Sequence, residues 1–303
     1  MVIVMIPKLK GDPYFNACEQ GAREAAAKLP NVTLQYDGPT TGNSGQQIAL
    51  IQSWIVRKPN VIAVSCNDPN ELAPVLKQAR SKGIHVITWD ADANPTSSGR
   101  EFFVNQAPAK DIGAALVDVM AQQAGPAAQT VVITSTLTSS NQNDWRKAMQ
   151  DRITEKYPQM KILATMESQE DQAVAVTATQ DALKAYPTVK GIFGITSHAF
   201  PGAAEAVEQA HMAGKIAVVG LSGPKTMKDF VKRGVVKTVV LWSPVDLGYL
   251  TVYTADALAK GTLKAGASSV DAGRLGQKSV VGDQVLLGKM MYFNKDNIDK
   301  YDF

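Results

Sequence analysis

The feature that most constrains this chain is an alternation that runs along it and then starts again. Short apolar runs rich in β-branched and aromatic residues recur, each followed by a stretch with helical spacing. The first series is Val2–Ile6, Val32–Tyr36, Val61–Ser65, His85–Trp89 and Phe102–Asn105, with helices expected over Phe15–Lys28, Ser44–Val56, Pro69–Lys82 and Ala109–Gln123. Near Gln129 the pattern restarts with Val131–Ser135, Lys161–Met166, Gly191–Ile195, Ile216–Leu221 and Val236–Leu241. These runs are separated by helices near Asp144–Lys156, Ala173–Tyr186, Pro201–Ala213 and Lys225–Arg233. Strands alternating with helices build βαβ units, because neighbouring parallel strands need a long crossover that a helix supplies. The expectation is two five-stranded, doubly wound α/β domains in tandem. A length of 303 residues agrees, being too long for one ordinary domain and sufficient for two cores.

After Leu241 the sequence offers one more helix, Leu247–Lys260, then a Gly- and Ser-containing stretch, then Gly282–Phe293 as a further strand pair. These added elements must cross back between the lobes, and several short connections make a hinge. The boundaries expected are 1–106 plus about 243–275 for the N-terminal lobe, and 107–242 plus about 276–303 for the C-terminal lobe.

Composition narrows the function classes. The chain is 45% hydrophobic and 19% charged, as folded globular proteins are, and it has no apolar run long enough for a membrane span. Its net charge of +3 comes from Lys and Arg scattered among Asp and Glu, so no nucleic-acid footprint is visible. No GxGxxG or Walker glycine loop occurs, and a nucleotide cofactor is not expected. Cys18 and Cys66 lack CxxC or Cys/His ligand spacing; two small buried thiols are expected, with a single disulfide left open. The chain runs from Met1 into Val2–Pro7, which is too short for a signal peptide and reads as a first strand. Either the protein is cytoplasmic, or a leader is missing from this sequence.

In doubly wound sheets, ligands lie beyond the carboxyl ends of the strands, so the strand-end loops are where chemistry is sought. The first carries Lys8, Gly11, Pro13, Tyr14 and Phe15. An aromatic face covers the C–H face of a sugar ring, but the same Tyr-Phe pair also packs a helix start against a sheet; both readings stand. The fourth strand ends in Thr-Trp-Asp-Ala-Asp, placing Asp90 at its tip with Asp92 beyond. A carboxylate there accepts from ligand hydroxyls with charge-assisted strength. In the second half, Ser140, Asn141 and Gln142 precede a helix. The Asn141 and Gln142 amides suit hydroxyl recognition, though Asn141 and Asn143 also suit a helix cap. Thr196, Ser197 and His198 follow the Gly191–Ile195 run, Ser222 follows Leu221, and Trp242 ends the last strand, as a second aromatic wall or as a buried connector.

Several ordered motifs share one pattern. Gly-Asp-Pro-Tyr-Phe, Asp-Gly-Pro-Thr before Gln46-Gln47, Ser-Cys-Asn-Asp-Pro-Asn, Thr-Trp-Asp-Ala-Asp, Val104-Asn105-Gln106 and the closing Asn-Lys-Asp-Asn-Ile-Asp-Lys-Tyr-Asp-Phe resemble the periplasmic sugar-binding proteins of the ribose-binding type. Within these, the chain is most similar to the branch holding the rhamnose-binding and autoinducer-2-binding proteins. The resemblance spans nearly the whole chain. It implies the type I periplasmic binding protein fold, with a ligand between the lobes. The matching first-lobe positions are Lys8, Tyr14, Phe15 and Asp90; from the second come Asn141, Gln142, Ser197 and Ser222, with Trp242 near the hinge. It further implies a monomer that serves an ABC permease of the inner membrane, in the periplasm or lipid-anchored outside the cytoplasm.

The sequence departs from the autoinducer-2 pattern where it carries Asn141 for an Asp, and Ile195 and Ser197 for a Pro and an Ala. Asn donates as well as accepts, and Ser197 adds a hydroxyl. The ligand expected is therefore a rhamnose-like deoxysugar or another small sugar or polyol, with autoinducer 2 as the second. Two rivals share the scaffold. A sugar-responsive repressor would need an N-terminal helix-turn-helix, whereas the first strand begins at Val2. An enzyme would need an acid/base pair, for which only Asp90 and His198 are at hand, and no nucleophile motif such as GxSxG is present.

Overall fold

A computed structural model describes residues 1–303. The chain divides into two compact units: Met1–Pro108 with Ser139–Asn141 and Ser243–Lys289, and Ala109–Thr138 with Gln142–Trp242 and Met290–Phe303.

The first unit opens with β1 (Val2–Ile6), α1 (Pro13–Lys28), β2 (Thr33–Tyr36), α2 (Ser44–Arg57), β3 (Val61–Val64), α3 (Ala73–Ser81), β4 (His85–Trp89) and β5 (Phe102–Asn105). These strands pair in parallel in the order β2-β1-β3-β4-β5, which places β1 and β3 side by side where the winding reverses. Ile3, Val4, Met5 and Ile6 are buried, as are all four residues of β3, which is why both read as unbroken apolar runs. Gly-Asp-Pro starts α1 by local chemistry: Asp12 caps the helix by accepting from the Tyr14 and Phe15 N–H groups, and Pro13 occupies the first turn.

The chain returns to this unit after Trp242 with α9 (Pro244–Ala259), β11 (Ser269–Asp271), β12 (Gln277–Val281) and β13 (Gln284–Leu286). Helix α9 lies tightly against α1, and two glycines allow it. A Cβ on Gly21 would stand 1.7 Å from the Val245 carbonyl oxygen, and one on Gly248 1.9 Å from that of Cys18. β12 and β13 form a hairpin about Gly282 and Asp283, and β13 pairs in parallel with β5. This corrects the expected boundary: 276–289 belongs with the first unit, because β13 finds its hydrogen-bond partner at the edge of that sheet.

The second unit comprises α4 (Ala109–Ala124), β6 (Gln129–Thr134), α5 (Ser140–Lys156), β7 (Lys161–Glu167), α6 (Gln172–Ala185), β8 (Gly191–Gly194), α7 (Ala199–Gln209), β9 (Ala217–Gly220), α8 (Pro224–Lys232), β10 (Val239–Leu241) and β14 (Met291–Phe293). The first two residues of α5 cluster with the first unit instead. Its parallel sheet runs β7-β6-β8-β9, repeating the winding of the first unit. The expected fifth strand leaves that sheet. β10 makes a single bridge, Val240 to Leu221 just past the end of β9, and pairs antiparallel with β14. Gly194 brings the start of α7 onto the end of β8, where a Cβ would stand 2.4 Å from Phe200 Cα. No helix is long and apolar enough to cross a membrane.

Candidate functional site

In the first unit, the residues singled out from sequence gather at the carboxyl ends of β1, β3 and β4. Asp90 follows β4 directly and is buried. The Tyr14 hydroxyl donates to its Oδ1 at 2.8 Å and the Ser65 hydroxyl to its Oδ2 at 2.7 Å, so one donor from α1 and one from the end of β3 set the plane of the carboxylate. Phe15 lies beneath, buried and edge-on to Tyr14 at 5.1 Å and to Trp89 at 5.7 Å, in the packing role that its position left open. Its carbonyl accepts from the Tyr36 hydroxyl at 2.8 Å.

Lys8 is only 5% exposed, and its Nζ donates to Ser139 Oγ at 3.0 Å and Asn141 Oδ1 at 3.3 Å. Ser139 in turn donates to Asn141 Oδ1 at 2.9 Å. A buried ammonium needs such partners, since an unpaired charge out of water is costly. Gln47 holds this corner together: its Nε2 donates to the Pro7 and Ser65 carbonyls at 2.9 and 2.7 Å, and its Oε1 accepts from Asn67 N–H at 2.9 Å. Asn67 Nδ2 then donates to the Lys8 carbonyl at 3.1 Å. Gln47 thus ties β1 to β3 at the point where the winding reverses.

The second unit repeats the device with different residues. Gln142, 4% exposed, accepts through Oε1 from Ser135 N–H at 2.8 Å, from Ser135 Oγ at 2.9 Å and from the Thr134 hydroxyl, all at the end of β6. Thr196 Oγ1 accepts from the His198 and Ala199 N–H groups and so shapes the loop between β8 and α7. On that loop, Ser197 Oγ lies 3.4 Å from His198 Nδ1, and Ser222 Oγ donates to the Ser197 carbonyl at 3.4 Å. The structure therefore brings Ser197 and Ser222 together. His198 Nδ1 is also 3.5 Å from Glu170 Oε2. Trp242 is buried against Trp145, with ring centroids 5.7 Å apart. Asn143 does not cap α5 with its side chain; its Nδ2 donates to the Leu137 carbonyl.

Thr196 and Gln47 were named from sequence without a role at the site, and Asp12, Ser65, Asn67, Thr134 and Ser135 were not singled out as site residues. A glutamine on the buried side of α2 and hydroxyls at the last positions of apolar strands were the signals available. No group of three or more His, Cys, Asp and Glu side chains is placed to hold a metal ion. Cys18 and Cys66 are free and buried, and burial pushes both thiols well above their ordinary pKa.

Residues 3–263 match the family model described as periplasmic binding protein domain. Among curated proteins, the ribose import binding protein RbsB of Escherichia coli (strain K12) is 23% identical over 260 residues, covering 86% of this chain and 85% of that protein. Among solved structures, a sugar ABC transporter from Actinomyces odontolyticus is 31% identical, with 100% of this chain and 98% of that one covered and a TM-score of 0.81. An ABC transporter solute binding protein from Clostridium phytofermentas with bound L-rhamnose is 26% identical, with 99% and 97% covered and a TM-score of 0.92. LsrB from Clostridium saccharobutylicum in complex with AI-2 shares the fold, at 24% identity, full coverage of both chains and a TM-score of 0.93.

Proposed function

The chain belongs to the periplasmic binding protein family, among the solute-binding proteins of sugar ABC transporters, and we propose that it captures a small sugar or polyol, a rhamnose-like deoxysugar foremost, for an ABC permease. In this reading Lys8, Tyr14, Asp90, Asn141, Gln142, Ser197 and Ser222 recognise the ligand. Phe15 and Trp242 supply aromatic surface. The protein works outside the cytoplasm, as a monomer.

The observation that carries the reading is the oriented carboxylate of Asp90, held by one hydroxyl on each oxygen. A carboxylate fixed in one plane accepts from ligand hydroxyls at about 1.5–3 kcal/mol each, which makes it a strong determinant of how a sugar lies. The hydroxyls of Ser197 and Ser222, on loops joined by the bond from Ser222 Oγ to the Ser197 carbonyl, and the amides of Asn141 and Gln142 offer both donors and acceptors, as a ring bearing several hydroxyls requires. The sugar preference is supported by Asn141 and Ser197, whose donors suit a ligand unlike autoinducer 2, and by the likeness to the L-rhamnose complex.

A thermal-shift panel tests this. Protein unfolded and refolded to strip any carried-over ligand is melted against L-rhamnose, D-ribose, other aldoses, tetritols and autoinducer 2. A ligand at a hundred times its Kd stabilises by about 2.7 kcal/mol, which raises Tm by several degrees. A shift confined to one deoxysugar supports the reading, and a shift confined to autoinducer 2 replaces the ligand. Silence throughout removes the sugar assignment.

A further inference from the structure

We infer that Arg100 is a positioning residue for the ligand-binding carboxylate of Asp90, acting through Asp92 in a buried clamp that holds a tight turn at the end of β4. The inference rests on the reading of Asp90 given above and concerns what keeps that residue in place.

Asp90 adopts φ +60°, a left-handed conformation that non-glycine residues rarely take. The Ala91 N–H donates back to the Trp89 carbonyl at 2.6 Å, so the chain reverses across a single residue. Such three-residue turns with positive φ are strained and persist only where the surroundings over-determine them. Two backbone bonds help: Asp90 N–H to the Val104 carbonyl at 3.2 Å, and Cys66 N–H to the Ala91 carbonyl at 3.0 Å.

The side chains supply the rest. Asp92 Oδ1 accepts from the Thr88 hydroxyl on the other side of the turn and from Ala93 N–H at 2.9 Å, so one carboxylate spans residues 88 to 93. Arg100 grips that carboxylate with its fork, Nε to Oδ1 at 2.7 Å and Nη2 to Oδ2 at 2.6 Å. Its remaining arm, Nη1, reaches Asp283 Oδ2 at 2.6 Å in the β12–β13 hairpin. The Arg100 side chain is 3% exposed. Burial raises the Asp92 carboxyl above its ordinary pKa, and the Arg100 hydrogen bonds and charge offset only part of this. Without the guanidinium, Asp92 would be a desolvated carboxylate lacking its counter-ion, and its bridge over the turn would fail. Lysine could supply the charge but not the two-point grip.

Four proteins test the clamp: wild type, Arg100→Met, Arg100→Lys and Asp283→Asn, each first shown to be folded by circular dichroism. Two quantities are read well below Tm: Kd for the sugar found in the panel, and hydrogen exchange at the Ala91 amide of the ligand-free protein relative to the amides of β1. Arg100→Met is expected to weaken binding at least tenfold and to speed Ala91 exchange at least tenfold, with Arg100→Lys between it and wild type. Asp283→Asn, which loses only the hairpin contact, is expected to bind within twofold of wild type whatever its Tm. If Arg100→Met does not fold, Arg100→Lys carries both readouts, with at least a threefold change expected in each. Either readout unmoved in a folded Arg100 variant overturns the inference, leaving Arg100 a purely structural residue. Should the wild type bind no sugar, the functional reading fails on its own account, and Ala91 exchange alone decides whether Arg100 holds the turn.

Discussion

The Tyr14 hydroxyl donates to Asp90 Oδ1 at 2.8 Å across 76 positions of sequence, joining the first turn of α1 to the end of β4. The Ser65 hydroxyl donates to Oδ2, so Tyr14 and Ser65 act on different oxygens of the carboxylate. Replacing it by Phe keeps the ring and its edge-on contact with Phe15 while deleting one donor. Tyr14→Phe is expected to weaken sugar binding about fivefold, matching a net hydrogen bond of about 1 kcal/mol, with Tm nearly unchanged. Titration calorimetry beside a thermal melt checks both halves.

Gln47 makes a different demand. It is fully buried and satisfies the Pro7 and Ser65 carbonyls and the Asn67 N–H at once. Gln47→Leu matches its size and leaves three backbone groups without a partner, each costing about 1–3 kcal/mol where water cannot reach. We expect a loss of about 3 kcal/mol in urea unfolding; a loss under 1 kcal/mol would mean that the corner is not held as described.

Much of the fold was legible because its signals are local. β1, β4 and β5 stand where their apolar runs predicted, and α1 covers the expected Phe15–Lys28 but starts two residues earlier, at Pro13, because Asp12 caps it by chemistry that needs nothing from the rest of the chain. What could not be read depends on distant partners. The run 236–241 is equally apolar whether it joins the parallel sheet or pairs with β14, and only the β14 pairing distinguishes them. β13 is three residues long, and what assigns it to the first unit is β5, 181 positions earlier at the Val104–Val285 pair. The candidate site divides in the same way. Asp90 and Tyr14 could be named because strand-end loops are where such sheets bind ligands. Arg100 and Asp283 meet across 183 positions, and no spacing in the sequence announces them.

The glycines at the α1–α9 contact carry a stability prediction of opposite sign to helix propensity. In an exposed helix Gly→Ala stabilises by about 1 kcal/mol. At Gly21 the new Cβ would stand 1.7 Å from the Val245 carbonyl oxygen, and at Gly248 1.9 Å from that of Cys18, both backbone atoms that cannot swing aside. Gly21→Ala and Gly248→Ala are each expected to destabilise by about 2–4 kcal/mol as the helices are forced apart, read by denaturant titration.

The two thiols should be chemically silent in the folded protein. Cys18 and Cys66 are 0% and 1% exposed, and burial pushes both pKa values well up, so at pH 8 neither is a thiolate nor within reach of a reagent. Ellman's reagent is expected to label neither within minutes under native conditions, and both promptly in denaturant. Rapid labelling of the native protein would contradict the packing described.

Asp90 is the residue on which ligand recognition depends most in this reading. Titration calorimetry of stripped wild type and Asp90→Ala with the sugar that shifts Tm compares a carboxylate held by two hydroxyls with no carboxylate at all. The predicted result is binding in the wild type and at least a hundredfold loss in a variant with a native circular dichroism spectrum, since a charge-assisted acceptor is removed and the Tyr14 and Ser65 donors lose their partner. Unaltered affinity in folded Asp90→Ala would contradict it and take Asp90 out of the site.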